Sequence, residues 1–153
     1  MVKADNQTGN GDADVFAFFN EVGIIAQLSG AMLHSVLPDG VHPSHFAIIN
    51  HLTRRGDGRE PAKIAAAMQV TKQTMTHSLK VLDGRGFIRT EVSPEDGRAK
   101  LVYLTDHGKT FREEAIRQVS AKFAGLFDMQ MRQELEALRP RLVDLRKHLD
   151  ENR

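Results

Sequence analysis

Over much of the chain, apolar residues recur every three or four positions, the spacing of one face of an α-helix. A first helix is predicted from Asp14, a plausible N-cap, to about Leu37. A second is expected to follow the cap Ser44 and to end near Gly56, and a third short helix begins at Pro61. The first part of the chain is therefore predicted to be helical.

The pattern changes after a fourth helix, which is predicted to run from the cap Thr71 to about Arg85. Residues 87–92 and 101–104 alternate or cluster apolar and β-branched side chains, as strands do. Residues 93–100 separate them and contain a proline and a glycine. This arrangement predicts a β-hairpin with a protruding loop.

Two more helices are predicted after the hairpin, the fifth beginning at the cap Thr105. The sixth carries an apolar seam at steps of three and four residues, formed by Met131, Leu135, Leu138, Leu142, Leu145 and Leu149. Pro140 lies within it, so a kink or break is expected near Leu138. The seam has too few partners in one chain and predicts a homodimer, with packing inside the chain as the alternative.

Length and composition limit the class of protein. The 153 residues suffice for one domain, or for one module with added pairing helices. Hydrophobic residues make up 41% and no unbroken apolar run of about 18 residues occurs, so we expect a soluble protein. Residues 1–13 are polar and unlike a secretory signal, which predicts a disordered tail and a cytoplasmic location. The absence of cysteine excludes disulfides, a cysteine-ligated zinc site and a thiol sensor.

The net charge of +1 is unevenly distributed. Between Arg54 and Lys100, ten Lys or Arg stand against six Asp or Glu, a local charge of +4, and the remaining eleven and fourteen give −3. The positive charge is concentrated around the fourth helix and the hairpin. By itself a charge of this size is weak support for a polyanion partner.

The order of helix, short helix, tight turn, helix and hairpin is that of a winged helix-turn-helix. The predicted fold is mainly α with a small β-hairpin wing. Residues 38–104 are expected to form the DNA-binding module, and residues 14–37 and 105–153 a helical dimerisation region.

The fourth helix has two distinct faces. Met75, Leu79 and Leu82 fall on one side of a helical wheel and are expected to face the core. The outward face carries polar side chains that can hydrogen-bond to base edges or phosphates, namely Gln73, Thr76, His77 and Lys80. An ordinary amphipathic surface helix would show the same pattern, so that alternative stays open.

The hairpin loop adds a second indication. Asp96 precedes Arg98 by two residues, so its carboxylate can hold either the guanidinium or the loop backbone. Arg98 would then be available for a minor groove or a phosphate. The alternative is a solvated turn with a weak surface ion pair.

Four segments resemble the MarR family of regulators in sequence, order and spacing. They are Ile64–Thr76 (IAAAMQVTKQTMT), Leu82–Ile88 (LDGRGFI), Asp96–Ala99 (DGRA) and Leu104–Gly108 (LTDHG). The resemblance implies a triangular homodimer whose first, fifth and sixth helices form the interface. It also implies that the fourth helix reads the major groove and that Arg98 reaches the minor groove. The predicted DNA contacts are Thr71, Lys72, Gln73, Thr74, Thr76, His77, Lys80, Arg98 and Lys100, with Asp96 supporting the wing.

One residue departs from the family pattern. Gln69 stands in the turn of the helix-turn-helix where family members usually have glycine. A non-glycine residue in the left-handed conformation costs about 1 kcal/mol, so the turn is expected to form with some strain.

The resemblance also implies a crevice for a small aromatic or phenolic effector, with His34, Leu37, His45 and Ile49 as candidate lining residues. The alternative is that these residues are core or surface without a ligand.

His42 and His45, with His34 and His107, form no convincing metal-ligand set, because Pro43 interrupts them and no cysteine or carboxylate pair completes it.

No hydrolase, metalloprotease, phosphate-binding or dinucleotide-binding motif is present, so neither an enzyme nor a cofactor is predicted. We therefore expect a sequence-specific transcriptional regulator, a repressor released by an effector, acting on a pseudo-palindromic DNA site and not on a membrane. The alternative is a winged-helix module that binds proteins and has lost DNA binding.

Overall fold

The computed structural model describes residues 8–152 and has the predicted mainly α fold with one hairpin. The elements are α1 (Thr8–His34), α2 (Pro43–Arg55), α3 (Pro61–Ala67), α4 (Lys72–Gly84), β1 (Ile88–Val92), β2 (Lys100–Leu104), α5 (Asp106–Ala124) and α6 (Met129–Glu151).

The start of α1 differs from the prediction. The helix begins at Thr8, so the expected cap Asp14 lies inside it and residues 8–13 are helical. The rest of the predicted tail lies outside the described residues. Extending a helix adds one hydrogen bond per residue, and no proline between Thr8 and Asp14 stops this extension.

Helix α1 is unusually apolar for its length. From Gly11 to His34 the helix is long and apolar enough to cross a membrane by length and composition, with a mean hydropathy of 1.4. Glycines and alanines interrupt the large apolar residues without making the helix polar. A helix that is covered by other helices in a folded protein has the same composition.

The N-cap of α2 lies two residues before the predicted cap, Ser44. Its N-cap is His42 and Pro43 occupies the first turn, where a missing N–H costs nothing. The backbone N–H of His42 donates to Nδ1 of His45 at 3.1 Å. In this bond the side chain of the N3 residue accepts the N–H of the N-cap residue, as in a capping box, and it requires His45 to keep Nδ1 unprotonated.

The turn between α3 and α4 has the strained residue that the sequence predicts. Gln69 has a φ of 54°. Its N–H donates to the carbonyl of Ala66, and the N–H of Val70 donates to that of Ala65. These are the two bonds of a Schellman motif, in which the strained position is normally glycine. The Oγ1 of Thr71 then accepts the N–H of Thr74 and caps α4, as predicted.

The hairpin is antiparallel, with Ile88 opposite Leu104 and Val92 opposite Lys100. Arg59 forms an additional bridge to Val102, which attaches the segment before α3 to the edge of β2. Side chains from α2, α3, α4 and both strands form one core, which includes Ile49, Ile64, Met75, Leu82 and Val102.

The start of α5 packs on this core. Thr105 caps the helix through its Oγ1, which accepts the N–H of Gly108. A side chain at Gly108 would collide with the carbonyl of Phe87, so glycine is required there. The rings of Phe111 and Phe87 stack with centroids 4.1 Å apart. The first compact unit includes this start of α5 and extends to Ile116.

The second compact unit begins at Arg117 and contains α6. Asp128 caps α6 by accepting the N–H of Met131 at 2.8 Å. The helix continues through Pro140, so of the kink or break expected near Leu138 the break does not occur. None of its side chains is buried within the described chain.

Candidate nucleic-acid interface

Helix α4 has the two faces that its sequence predicts. Met75, Leu79 and Leu82 are buried in the core. All seven predicted contact residues of this segment are exposed: Thr71, Lys72, Gln73, Thr74, Thr76, His77 and Lys80. The core residues fix the rotation of the helix about its axis and thereby determine which polar side chains meet solvent.

The threonines of α4 already have hydrogen bonds inside the helix. The hydroxyls of Thr71 and Thr74 are 2.9 Å apart at the N-cap. The Oγ1 of Thr76 donates to the carbonyl of Lys72 at 2.8 Å. With its proton committed in this way, Thr76 can still offer an oxygen lone pair and a methyl group to an incoming partner.

The wing loop is ordered by its own polar side chains. The Oδ1 of Asp96 accepts the backbone N–H of Arg98 at 3.0 Å. The Oγ of Ser93 accepts the N–H groups of Glu95 and Asp96, each at 3.3 Å. The sequence leaves two roles open for Asp96, and in the structure its carboxylate holds the loop backbone. The side chain of Arg98 is exposed.

A groove of about 330 Å³ runs between the first turn of α3, the first turns of α4 and the wing. Its described lining consists of Glu60, Pro61, Ala62, Lys72, Thr76, Arg98, Ala99 and Lys100. Four predicted contact residues from two separate segments thus meet in one groove, and three of them are cations. Gln73, Thr74, His77 and Lys80 lie on the exposed surface of α4 outside this lining.

Four lining residues were absent from the predicted contacts: Glu60, Pro61, Ala62 and, in the wing loop, Ala99. For the first three, the sequence indicated only a place at the start of α3, with Glu60 before the helix and Pro61 and Ala62 in its first turn. The bridge between Arg59 and Val102 brings this segment beside the wing, and a bridge between residues 43 positions apart leaves no local pattern.

The four residues predicted for an effector site have different environments. His34 is exposed, Leu37 packs against the core, and His45 and Ile49 are buried. The fully buried side chain of Ile49 serves packing in this structure. The imidazole of His42, which the sequence analysis left out of this set, lies between those of His34 and His45, with ring centroids 5.2 and 5.5 Å away.

Burial lowers the pKa of His45 below its ordinary value, and the neighbouring His42 and His77 lower it further. This residue is therefore neutral at pH 7, in agreement with the hydrogen bond that its Nδ1 accepts. Within the part of the chain that the structure describes, no group of three or more His, Asp or Glu side chains has an arrangement that could hold a metal ion.

Comparison with known proteins matches this architecture to one family. A sequence model of the MarR family matches residues 39–99, which include the helix-turn-helix and the wing loop. The transcriptional regulator HosA of Escherichia coli O111:H- is 30% identical to this chain over 98 residues, covering 64% of this chain and 71% of that protein. The chain belongs to the MarR family of transcriptional regulators.

Solved MarR structures have the same fold. The apo structure of wild-type Escherichia coli MarR has a TM-score of 0.68 and 19% identity, covering 80% of this chain and 94% of that one. A mutant of Escherichia coli MarR complexed with operator DNA has a TM-score of 0.62 and 17% identity, with coverage of 84% and 95%. These likenesses extend well beyond residues 39–99 and include the helices that flank the winged module.

Proposed function

We propose that this MarR-family protein binds duplex DNA in a sequence-specific manner and represses transcription. One observation carries the proposal: the groove in which Lys72, Arg98 and Lys100 converge beside Thr76. A DNA backbone strand that passes between a helix in the major groove and a wing at the minor groove would occupy such a groove. In the described part of the chain, none of these three cations forms an ion pair with a carboxylate.

The exposed polar residues of α4 are proposed as the readers of sequence. Gln73 can pair with adenine through two hydrogen bonds, and Thr76 retains an acceptor and a methyl group. His77 and Lys80 lie farther along the same exposed helix and can reach guanine or phosphate. Thr71 and Thr74 hold the N-cap, so their proposed contribution is to position the first turn and its backbone N–H groups.

We propose that the functional unit is a homodimer. The leucines of the α6 seam are 41 to 48% exposed at positions 135, 138, 142 and 149. In α1, Phe16 is 74% and Ile25 62% exposed. Apolar surface of this extent is stabilised when a second copy covers it. Two modules related by a twofold axis would bind half-sites about 34 to 36 Å apart, which makes the site a pseudo-palindrome.

We further propose that a small aromatic or phenolic effector releases the protein from DNA. The junction of α1 and α2 offers the exposed ring of His34 next to that of His42, and the buried His45 lies behind them. A ligand there would release DNA only to the extent that it favours the released conformation. His34→Ala should then weaken both effector binding, measured by calorimetry with a panel of aromatic acids, and effector-induced release. Unchanged responses would contradict the location.

The DNA proposal is tested with purified protein and random duplex DNA over a salt series, followed by sequencing of the retained fraction. A palindromic motif and a steep loss of affinity with salt are the expected results. Gln73→Ala or Thr76→Val should reduce the base preference of the selected motif more than they lower affinity for random DNA. Failure of the wild-type protein to retain DNA at low salt would overturn the proposal and favour a protein partner.

A further inference from the structure

The groove contains a carboxylate that a DNA-binding surface would be expected to exclude. Of its described lining residues, Glu60 is the acidic one, next to Lys72, Arg98 and Lys100. A phosphate entering the groove would be repelled by a free carboxylate there. A carboxylate that paired with a groove cation would also compete with the phosphate for it.

The structure shows where this carboxylate is held. The Oε1 of Glu60 accepts a hydrogen bond from Nζ of Lys63 at 2.6 Å, one turn farther along α3. Lys63 does not line the groove, and its side chain is 67% exposed. Glu60 is the N-cap residue of α3, but its side chain accepts no capping hydrogen bond, so its described polar partner is Lys63.

We propose that Lys63 is a positioning residue for DNA binding, which holds Glu60 away from the groove cations and neutralises its charge. This inference rests on the proposed DNA-binding function and adds a regulator of affinity to it. Lys63 then affects the affinity for DNA through Glu60 and not through a contact of its own with phosphate. Its loss would free Glu60 to pair with Lys72 or Lys100 and to repel the backbone.

A double-mutant cycle separates this role from direct phosphate binding. Lys63→Gln, Glu60→Gln and the double variant are compared with the wild type in full-length protein by fluorescence anisotropy. The probe is a labelled random-sequence duplex at several salt concentrations. We expect Lys63→Gln to weaken binding by about fivefold, the scale of a surface charge pair. Glu60→Gln should strengthen binding, and the double variant should bind at least as tightly as the wild type.

A matched control comes from α5. Lys109 and Asp106 form another exposed pair at the same three-residue spacing, with 3.0 Å between Nζ and Oδ1, and neither residue lines the groove. Lys109→Gln removes the same charge from the protein and should lower affinity much less than Lys63→Gln does. Circular dichroism melting of all variants confirms that each is folded.

The outcomes are distinct. If Lys63→Gln weakens binding equally with and without Glu60, Lys63 is a phosphate contact and the inference is wrong. If Glu60→Gln changes the preferred base at one site position without changing affinity for random DNA, Glu60 reads a base, and the inference is wrong as well. In both cases the wild type still binds, so the DNA-binding proposal stands. Absence of wild-type binding would overturn both.

Discussion

The winged module and the long helices α1 and α6 differ in where their apolar side chains are covered. In the module, residues such as Ile49, Ile64 and Leu82 are fully buried by neighbours from the same chain. In α6 no side chain is buried, and the large apolar residues of α1 from Val15 to Leu28 are exposed. Burying an aliphatic side chain stabilises a fold by about 1.5 to 3 kcal/mol. The module therefore has its own core, whereas α1 and α6 need surface from elsewhere.

The same contrast applies to function. The proposed DNA-binding groove is complete within one chain, because α3, α4 and the wing all belong to the first compact unit. The proposed dimer requires a second copy. Variants that affect one property and leave the other intact are therefore the sharpest tests of the comparison.

The largest effect is expected from Leu142→Asp in the α6 seam. A charge placed in an apolar interface without a partner is costly, so the dimer should dissociate. Light scattering should give the mass of one chain. Gln133→Asp adds the same charge on the opposite side of α6 and should leave the mass unchanged. An unaltered mass for Leu142→Asp would contradict the proposed interface.

Ile64→Ala in the core should lower the free energy of unfolding by about 2 to 5 kcal/mol, as truncations that leave a cavity do. Ile25→Ala removes the same atoms from a side chain that is 62% exposed in the single chain. If a second copy covers α1, this loss should depend on protein concentration in denaturant titrations. A negligible loss at every concentration would argue against a covered α1.

Arg98→Ala should weaken DNA binding by about tenfold, on the order of 1 to 2 kcal/mol, because the wing loses its terminal cation. The dimer should remain intact, since Arg98 lies in the loop of the winged module. Lys147→Ala removes a charge from α6 and serves as the control. Gel-shift affinities equal to that of the wild type would exclude the wing from the interface.

A smaller effect should follow pH through His45. Its folded pKa lies below the unfolded value of about 6.5, so the unfolded chain binds this proton more readily. The stability that neutral His45 contributes is present above about pH 6.5 and is lost as the pH falls toward the folded pKa. His45→Gln should therefore lose less stability than the wild type between pH 7.5 and 5.5, measured by denaturant unfolding. His148→Gln, at an exposed position of α6, should behave as the wild type does.

The smallest effect concerns the two helix ends of the helix-turn-helix. Helices α3 and α4 both end in a Schellman motif, with Gln69 at a φ of 54° in one and Gly86 at 70° in the other. Gln69→Gly should raise stability by up to about 1 kcal/mol, and Gly86→Ala should lower it by about 1 kcal/mol. Thermal melts test both. A destabilised Gln69→Gly would show that the glutamine side chain compensates for the strain.

Several elements could be predicted because their causes are local. Thr71 and Thr105 cap helices through a hydroxyl that accepts an N–H three residues later. The spacing of Met75, Leu79 and Leu82 predicted the buried face of α4. The spacing of the α6 leucines predicted a stripe that its own chain leaves exposed. Two cap predictions were wrong. Asp14 and Ser44 are favourable N-cap residues, but the helices α1 and α2 begin before them.

The sequence by itself determined the order of the elements, the polar face of α4 and the family, because each depends on residues close together along the chain. Only the tertiary structure decided that Glu60 shares a groove with the wing cations and that α5 begins on the module. These outcomes depend on contacts between distant segments, such as Arg59 with Val102 and Phe87 with Phe111. Such contacts form when apolar surfaces close on one another, and a pattern of neighbouring residues does not specify which surfaces meet.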